Sequence, residues 1–190
     1  GFYFAGGDYV GDPPVMGGQM YVEVWEPQEI TQPYPLVIFH GNGQTGVDWL
    51  QTPDDRAGWA YYLIEQGYVL YMVDYPARGR SAYIPGGVHG DLGIRSAEQL
   101  ETIWTNVGEK GNFPLKDNHD QWPGAGHAGD PIFDNFIKTQ VQFAGQSTTM
   151  ARAAAMELLD DRGVTIKGTT NGGTLATEHF LKGALVSTGL

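Results

Sequence analysis

None of the 190 residues is cysteine, which excludes disulfides, thiol nucleophiles and cysteine-ligated metal, and leaves the compartment open. There is also no apolar run near the roughly 18 residues that a membrane-crossing helix requires. Basic residues are scarce: 11 Lys and Arg stand against 22 Asp and Glu, for a net charge of −11. Phosphate binding needs basic patches, so nucleic acid and anionic lipid are disfavoured as partners, and no membrane association is expected. Internal repeats and low-complexity tracts are missing as well. The chain starts at Gly1 without Met or a signal-like leader and reads as a processed mature form. With little Lys and much Gly, Tyr and Trp, it reads as an extracellular protein.

What is present suits one globular domain over 1–190: 41% hydrophobic residues and five Trp are enough for a real core. The stretch from Pro35 to Ser81 organises it. Leu36-Val37-Ile38-Phe39 is apolar without alternation, as in a strand covered on both faces, and stops at His40-Gly41-Asn42-Gly43. Ala57 to Gln66 carries Trp59, Tyr62 and Leu63 at helical spacing, with Gly67 closing it. Tyr68 to Val73 is a second apolar strand ending at Asp74. Strand, helix and parallel strand imply a right-handed crossover, with the loops at the strands' carboxyl ends meeting on one rim.

Two readings of that rim compete. Gly41, Gly43 and Gly46 satisfy G-x-G-x-x-G, the fingerprint of an NAD(P) site. Its spacing is wrong: VDWLQTPDD intervenes where a helix should start, and Asp74 lies 28 positions beyond Gly46, where roughly 20 is expected. The other reading comes from HGNGQTGVDW, TPDDRAGWAYYLIEQGY and DYPARGRSA, in this order and spacing. Together they resemble the α/β-hydrolase superfamily, and within it a group of secreted bacterial and fungal carboxylesterases. The resemblance runs from about Val22 to Ala82 and returns near Gln121–Pro123 and Gly163–Gly173.

The resemblance implies an α/β fold, with a mostly parallel sheet, flanking helices and a cap insertion over about 83–146. Around the central unit, Gly1–Gly18 reads as an irregular surface arm and Met20–Trp25 as an antiparallel strand. Ile94–Val107, capped by Ser96, Ile132–Phe143, Ser147–Arg162 and Thr174–Lys182 read as helices. Val164–Ile166 and Ala184–Ser187 read as strands, the latter as an apolar open edge. A further chain segment, or a second chain, is therefore expected to complete the sheet at the C-terminus.

Gly168-Thr169-Thr170-Asn171-Gly172 has the frame of the G-x-S-x-G nucleophile turn, with Thr170 where serine belongs. The resemblance then implies ester hydrolysis through an acyl-enzyme. Thr170 takes the nucleophile position, the backbone N–H groups of Asn42 and Asn171 form the oxyanion hole, and Gly41 and Gly43 line the substrate. A small-molecule ester is the expected partner, and no cofactor is needed. A β-branched Thr170 is stiff and crowds the attacking oxygen. Only His179 follows Thr170, inside the helix leaving the turn, so these residues do not complete a nucleophile–acid–histidine triad. The competing functional class is a non-catalytic homologue that binds a small ligand in the same cleft, GTTNGG then being a plain polar turn.

The remaining polar residues read as structural. His119, Asp120, His127, Asp130 and Asp134 lack helical H-x-x-x-H or EF-hand spacing, so a solvated loop is expected there and no metal. Asp54-Asp55-Arg56 is expected to cap the helix start, and Asp74 and Arg78 to hold their turn together. His40 reads as a buried hydrogen-bonding residue rather than a base.

Overall fold

The computed structural model describes residues 1–86, 88–145, 147–161, 165–167 and 183–188. Strand β1 (Phe2–Ala5) opens the chain, followed by the hairpin β2 (Asp8–Val10) and β3 (Val15–Gly17) and by β4 (Met20–Trp25). The expected irregular arm at 1–18 is thus corrected. Its FYFA alternation puts Ala5 into the core and leaves Phe2 and Phe4 outside, so it pairs antiparallel with β4. The central unit is β5 (Leu36–Phe39), α1 (Trp59–Glu65) and β6 (Leu70–Asp74). The six-stranded sheet is mixed, in the order β1-β4-β6-β5-β10-β9, where β9 is Thr165–Lys167 and β10 is Gly183–Thr188. β5 pairs parallel with β6 and with β10, and β10 pairs parallel with β9, whereas β4 runs antiparallel to its neighbours β1 and β6.

All four residues of β5 are buried, as the unbroken apolar run requires. Val37 and Phe39 join Val22 and Val73 beneath Ala154, Ala155 and Leu158 of α5 (Ser147–Asp161). Leu36 and Ile38 join Leu70, Met72, Trp49 and Ala60 on the α1 side. The α1 contact corrects the helical face read from spacing: Trp59 is 64% exposed and Tyr62 54%, while Ala60 is fully buried. Leu63, also read from the spacing, is partly buried against the same cluster, with Ile64 beside it. At Gly58, which precedes α1, a Cβ would sit 2.2 Å from the Trp49 carbonyl oxygen. Gly58→Ala should therefore cost about 1–3 kcal/mol, since only backbone can yield, as measured by the shift in urea midpoint. Gly58 is also the helix's first cap and makes no side-chain bond. The expected capping by 54–56 is corrected, because Asp54 pairs with Arg56 at 2.8 Å instead.

Between β6 and α5 the chain leaves and returns through a two-stranded antiparallel ribbon, β7 (Leu92–Gly93) with β8 (Phe143–Ala144). The helix read at 94–107 is shorter and broken. Ser96 and Gln99 form a reciprocal capping box for α2 (Ala97–Leu100), a π-helical turn follows over Glu101–Thr105, and α3 (Val107–Lys110) restarts after Asn106. Glu101 is ion-paired with Lys110 beneath this break. α4 (Pro131–Thr139) ends before Gln140, so Phe143, read as helical, lies in the ribbon instead.

One expectation about the sheet is overturned. The strand at 183–188 is not at an open edge: β10 lies between β5 and β9, with Leu185 beside Leu36 and Ala184 beside Ile166. Its apolar sequence fits that interior place. The helix read at 174–182 lies outside the described residues.

Candidate functional site

The parallel strands β5, β6 and β10 end together, Thr188 standing level with Phe39, and the turns after β5 and β6 interlock at that rim. His40, the first residue past β5, is 3% exposed. Its Nδ1–H donates to the Gly41 carbonyl at 2.8 Å and its Nε2 accepts the Tyr75 amide at 3.0 Å. Both ring nitrogens are thereby used by backbone, which fixes one neutral tautomer. Burial, with help from the Arg78 charge, lowers its pKa to about 4. His40 is thus a strut between two turns.

The turn after β6 is built on Asp74. Its carboxylate accepts the Gly46 amide at 2.7 Å and the Arg80 amide and Nε at 2.9 and 2.8 Å. Burial alone would raise its pKa, but the Arg80 guanidinium and these amides outweigh it and hold the carboxyl below its usual range. Arg80 also reaches Glu23 and lies over the Tyr21 ring, 4.0 Å from its centroid. Ser81 ties the same turn to β4, donating to the Asp74 carbonyl and accepting the Tyr21 amide. This arrangement also disposes of the dinucleotide reading. Gly46 opens a 3-10 turn, Gly46–Trp49, rather than a long helix, and Asp74 is committed to Gly46 and Arg80 instead of facing a ribose.

Arg78 joins the two turns from the other side. It is 5% exposed and donates from Nη1 to the Gly41 carbonyl (3.2 Å) and from Nη2 to the Asn42 side-chain oxygen (3.0 Å). Burial lowers its pKa to about 10, and the neighbouring Arg95 charge adds to that. Held this way, Asn42 is exposed on the rim and Gly41 is half-buried. Gly43 is buried at φ +80, where a side chain would be strained, and its carbonyl accepts the Val141 amide from the segment after α4 at 2.8 Å. Among the described residues, neither the Asn42 nor the Gly43 amide donates to any acceptor. A pair of unused N–H groups at a strand end is a ready anion-binding element.

Two charged residues near this turn were not picked out by sequence reasoning. Asp48, in the 3-10 turn, has one carboxylate oxygen buried without a partner. Burial raises its pKa to about 6, against the Thr139 hydroxyl and the Thr45 backbone, which lower it, while the Asp74 charge adds to the rise. Arg95 follows the ribbon strand β7 and lies over Gly43 and the Phe143 ring. Neither has a sequence signature, since VDW and GIR carry no recognisable spacing to other polar residues.

Thr170 and Asn171 lie outside the described residues. β9 itself stands two strands from β5, about 10 Å across the sheet. The polar cluster of the 83–146 insertion serves its own backbone: Asp130 accepts the Ile132 and Gly126 amides and Asp134 that of Gly129. Among the described residues no three His, Asp or Glu side chains converge as metal ligands.

No protein-family model matches the chain. The "Probable secreted lipase phiG" of Fungal sp. (strain ATCC 74256) is 38% identical to it over 162 residues, covering 82% of the chain. The chain spans only 42% of that lipase. Among solved structures, "The Atomic Resolution Structure of a Novel Bacterial Esterase" matches 100% of this chain and 74% of its own, with a TM-score of 0.71. At 22% identity that likeness is one of fold. The chain is thus similar in sequence to a probable secreted lipase and in fold to a bacterial esterase.

Proposed function

We propose that the chain carries the oxyanion side of an ester-hydrolase site, in an α/β-hydrolase-like fold whose sheet is mostly parallel, acting on a small-molecule carboxylic ester outside the cell. The observation that carries this reading is the pair of unused amides at Asn42 and Gly43, in the turn at the end of β5 that Arg78 clamps through the Gly41 carbonyl and the Asn42 side chain. Preorganised N–H donors of this kind stabilise the negative charge that develops on the carbonyl oxygen, by a few kcal/mol each in typical enzymes. In the proposal Asn171 supplies a further amide and Thr170 the attacking hydroxyl, with Gly41 and Gly43 bordering the acyl group. Lys167 at the end of β9 is in register with Leu185 and through it with Leu36, and Thr170 follows three residues later. The insertion 83–146 forms the cap over this site, joined to the turn by the Val141–Gly43 bond and to the next loop by Asn135 and the Pro53 carbonyl.

The relatives support both the reaction class and secretion, since one is named a probable secreted lipase and the other an esterase. Butylphosphonate, a tetrahedral anion with an acyl-like tail, tests the site without requiring turnover. The Asn42 and Gly43 amide proton resonances should move downfield together on titration. With 4-nitrophenyl butyrate the 190-residue chain alone should show negligible turnover, because the histidine after Thr170 is His179, in the stretch the sequence reads as the helix leaving the nucleophile position. Joined to a segment that supplies both, Thr170→Ser should raise the rate about tenfold by removing the β-branch. Amides unmoved by the phosphonate, or full activity in Thr170→Ala, would defeat the assignment.

A further inference from the structure

We propose that Arg95 recognises a second, ionised acid group on the ester, so that the preferred substrate is the half-ester of a dicarboxylic acid. This inference rests on the reading of the 41–43 turn as the ester site. Arg95 stands directly over that turn: its Cδ lies 3.9 Å from where a Cβ on Gly43 would be. Its guanidinium carbon is 5.8 Å from the centroid of Phe143, and that of Arg78 is 5.7 Å from the centroid of the same ring. Two cations therefore share one aromatic ring beside two unused amides.

Arg95 contrasts with the cations of the fold that are held by carboxylates. Arg56, Arg80 and Lys110 are each ion-paired. Arg95 makes no ion pair or hydrogen bond among the described residues, and its Nε is buried without an acceptor. Acidic residues outnumber basic ones two to one in this chain, so an arginine without a carboxylate is not explained by a shortage of acids. The side chain is half-buried, which leaves part of it open to a ligand while its charge is only partly hydrated. Repulsion between the two guanidinium groups, visible in the lowering of the Arg78 pKa by Arg95, is relieved by an anion placed between them. A guanidinium fork matches a carboxylate with two parallel bonds, which supplies direction as well as attraction. In this arrangement the ester carbonyl meets the Asn42 and Gly43 amides and the free carboxylate of the same molecule meets Arg95. Hydrolysis of such a molecule takes up one water and releases an alcohol and the diacid.

A purely structural Arg95, stacked on Phe143 to hold the β7–β8 ribbon, would not distinguish charged from neutral ligands. The test uses the full chain and titration calorimetry with monomethyl glutarate, dimethyl glutarate being the neutral control. The half-ester should bind at least ten times more tightly than the diester, and Arg95→Gln should reduce that ratio about tenfold, as expected for loss of one charge-assisted contact. Arg95→Lys, which keeps the charge and loses the fork, should fall between. Equal binding of the two esters, no measurable binding of the half-ester, or a ratio unchanged by Arg95→Gln in a protein of unaltered circular dichroism would overturn the inference. Absent turnover with the binding pattern intact would count against hydrolysis and leave the carboxylate site standing.

Discussion

Asp48→Asn should stabilise the fold at pH 7.5 by about 3 kcal/mol and make it more sensitive to acid than the parent. The Asp48 pKa is raised from 3.8 to about 6, chiefly by burial. The folded state therefore keeps a proton that the unfolded chain releases, and the stability this brings is fully present below pH 3.8 and lost as pH rises through about 6. At pH 7.5 the parent carries the cost of a buried charge, which asparagine removes. His40 acts in the opposite sense. Burial lowers its pKa from 6.5 to about 4, so its unfolded form takes up a proton that the folded form refuses. Its contribution is complete above pH 6.5 and lost as pH falls towards about 4, again by about 3 kcal/mol. The two groups nearly cancel, and the parent should be almost flat between pH 6.5 and 4. Asp48→Asn unmasks the histidine: urea midpoints, converted to free energies, should fall steadily over that window. Parallel stability curves for parent and variant would contradict the assigned environment of Asp48, and a variant curve flat between pH 6.5 and 4 that of His40.

Asp74→Ala is expected to be the most damaging substitution at the rim, costing about 3–5 kcal/mol. The carboxylate is 1% exposed and satisfies the Gly46 amide and three Arg80 donors. Its removal leaves the Gly46 and Arg80 backbone amides without this partner and a guanidinium held only by Glu23 and the Tyr21 ring. Asp74→Asn keeps the shape and one acceptor and should cost less. Glu23→Gln, at the outer end of the same network, should cost no more than about 1 kcal/mol. Denaturation midpoints order the three variants. Amide exchange at Gly46 should accelerate in Asp74→Ala beyond the global effect, and an Asp74→Ala cost below that of Glu23→Gln would show that the network is anchored elsewhere.

The sequence was most legible where burial leaves a pattern. The unalternating run at 36–39 and the glycine at 67 placed β5 and the end of α1 closely, because a strand covered on both faces has no other composition. Asp74 and Arg78 were recognisable as turn-holding residues, since charged side chains at the ends of buried strands need partners. The N-terminal strand was hidden by glycines at 1, 6 and 7, which made a four-residue strand look like a loop. The face of α1 was misjudged because aromatic residues at helical spacing suggest a core. Ala60 is instead the α1 residue fully buried in the core cluster, with Leu63 partly buried beside it. The position of β10 had no local signal, since an apolar strand reads alike at an edge and inside. Arg95 and Asp48 matter through neighbours distant in sequence, and spacing rules see only near ones.

The interior place of β10 also fixes an order of events during folding. β4, β5 and β6 lie within one short stretch of chain and can pair as soon as it is made, but Leu185 joins Leu36 only after about 150 further residues. Until then one side of β5 presents unpaired amides and carbonyls next to its most apolar residues. Closing such a long loop is slow, and the interval is the one in which another chain can take the vacant strand position. Refolding yield should therefore fall with protein concentration more steeply than the stability of the finished fold would suggest. Swapped dimers exchanging the segment 183–188 are the misassembled product that this topology favours.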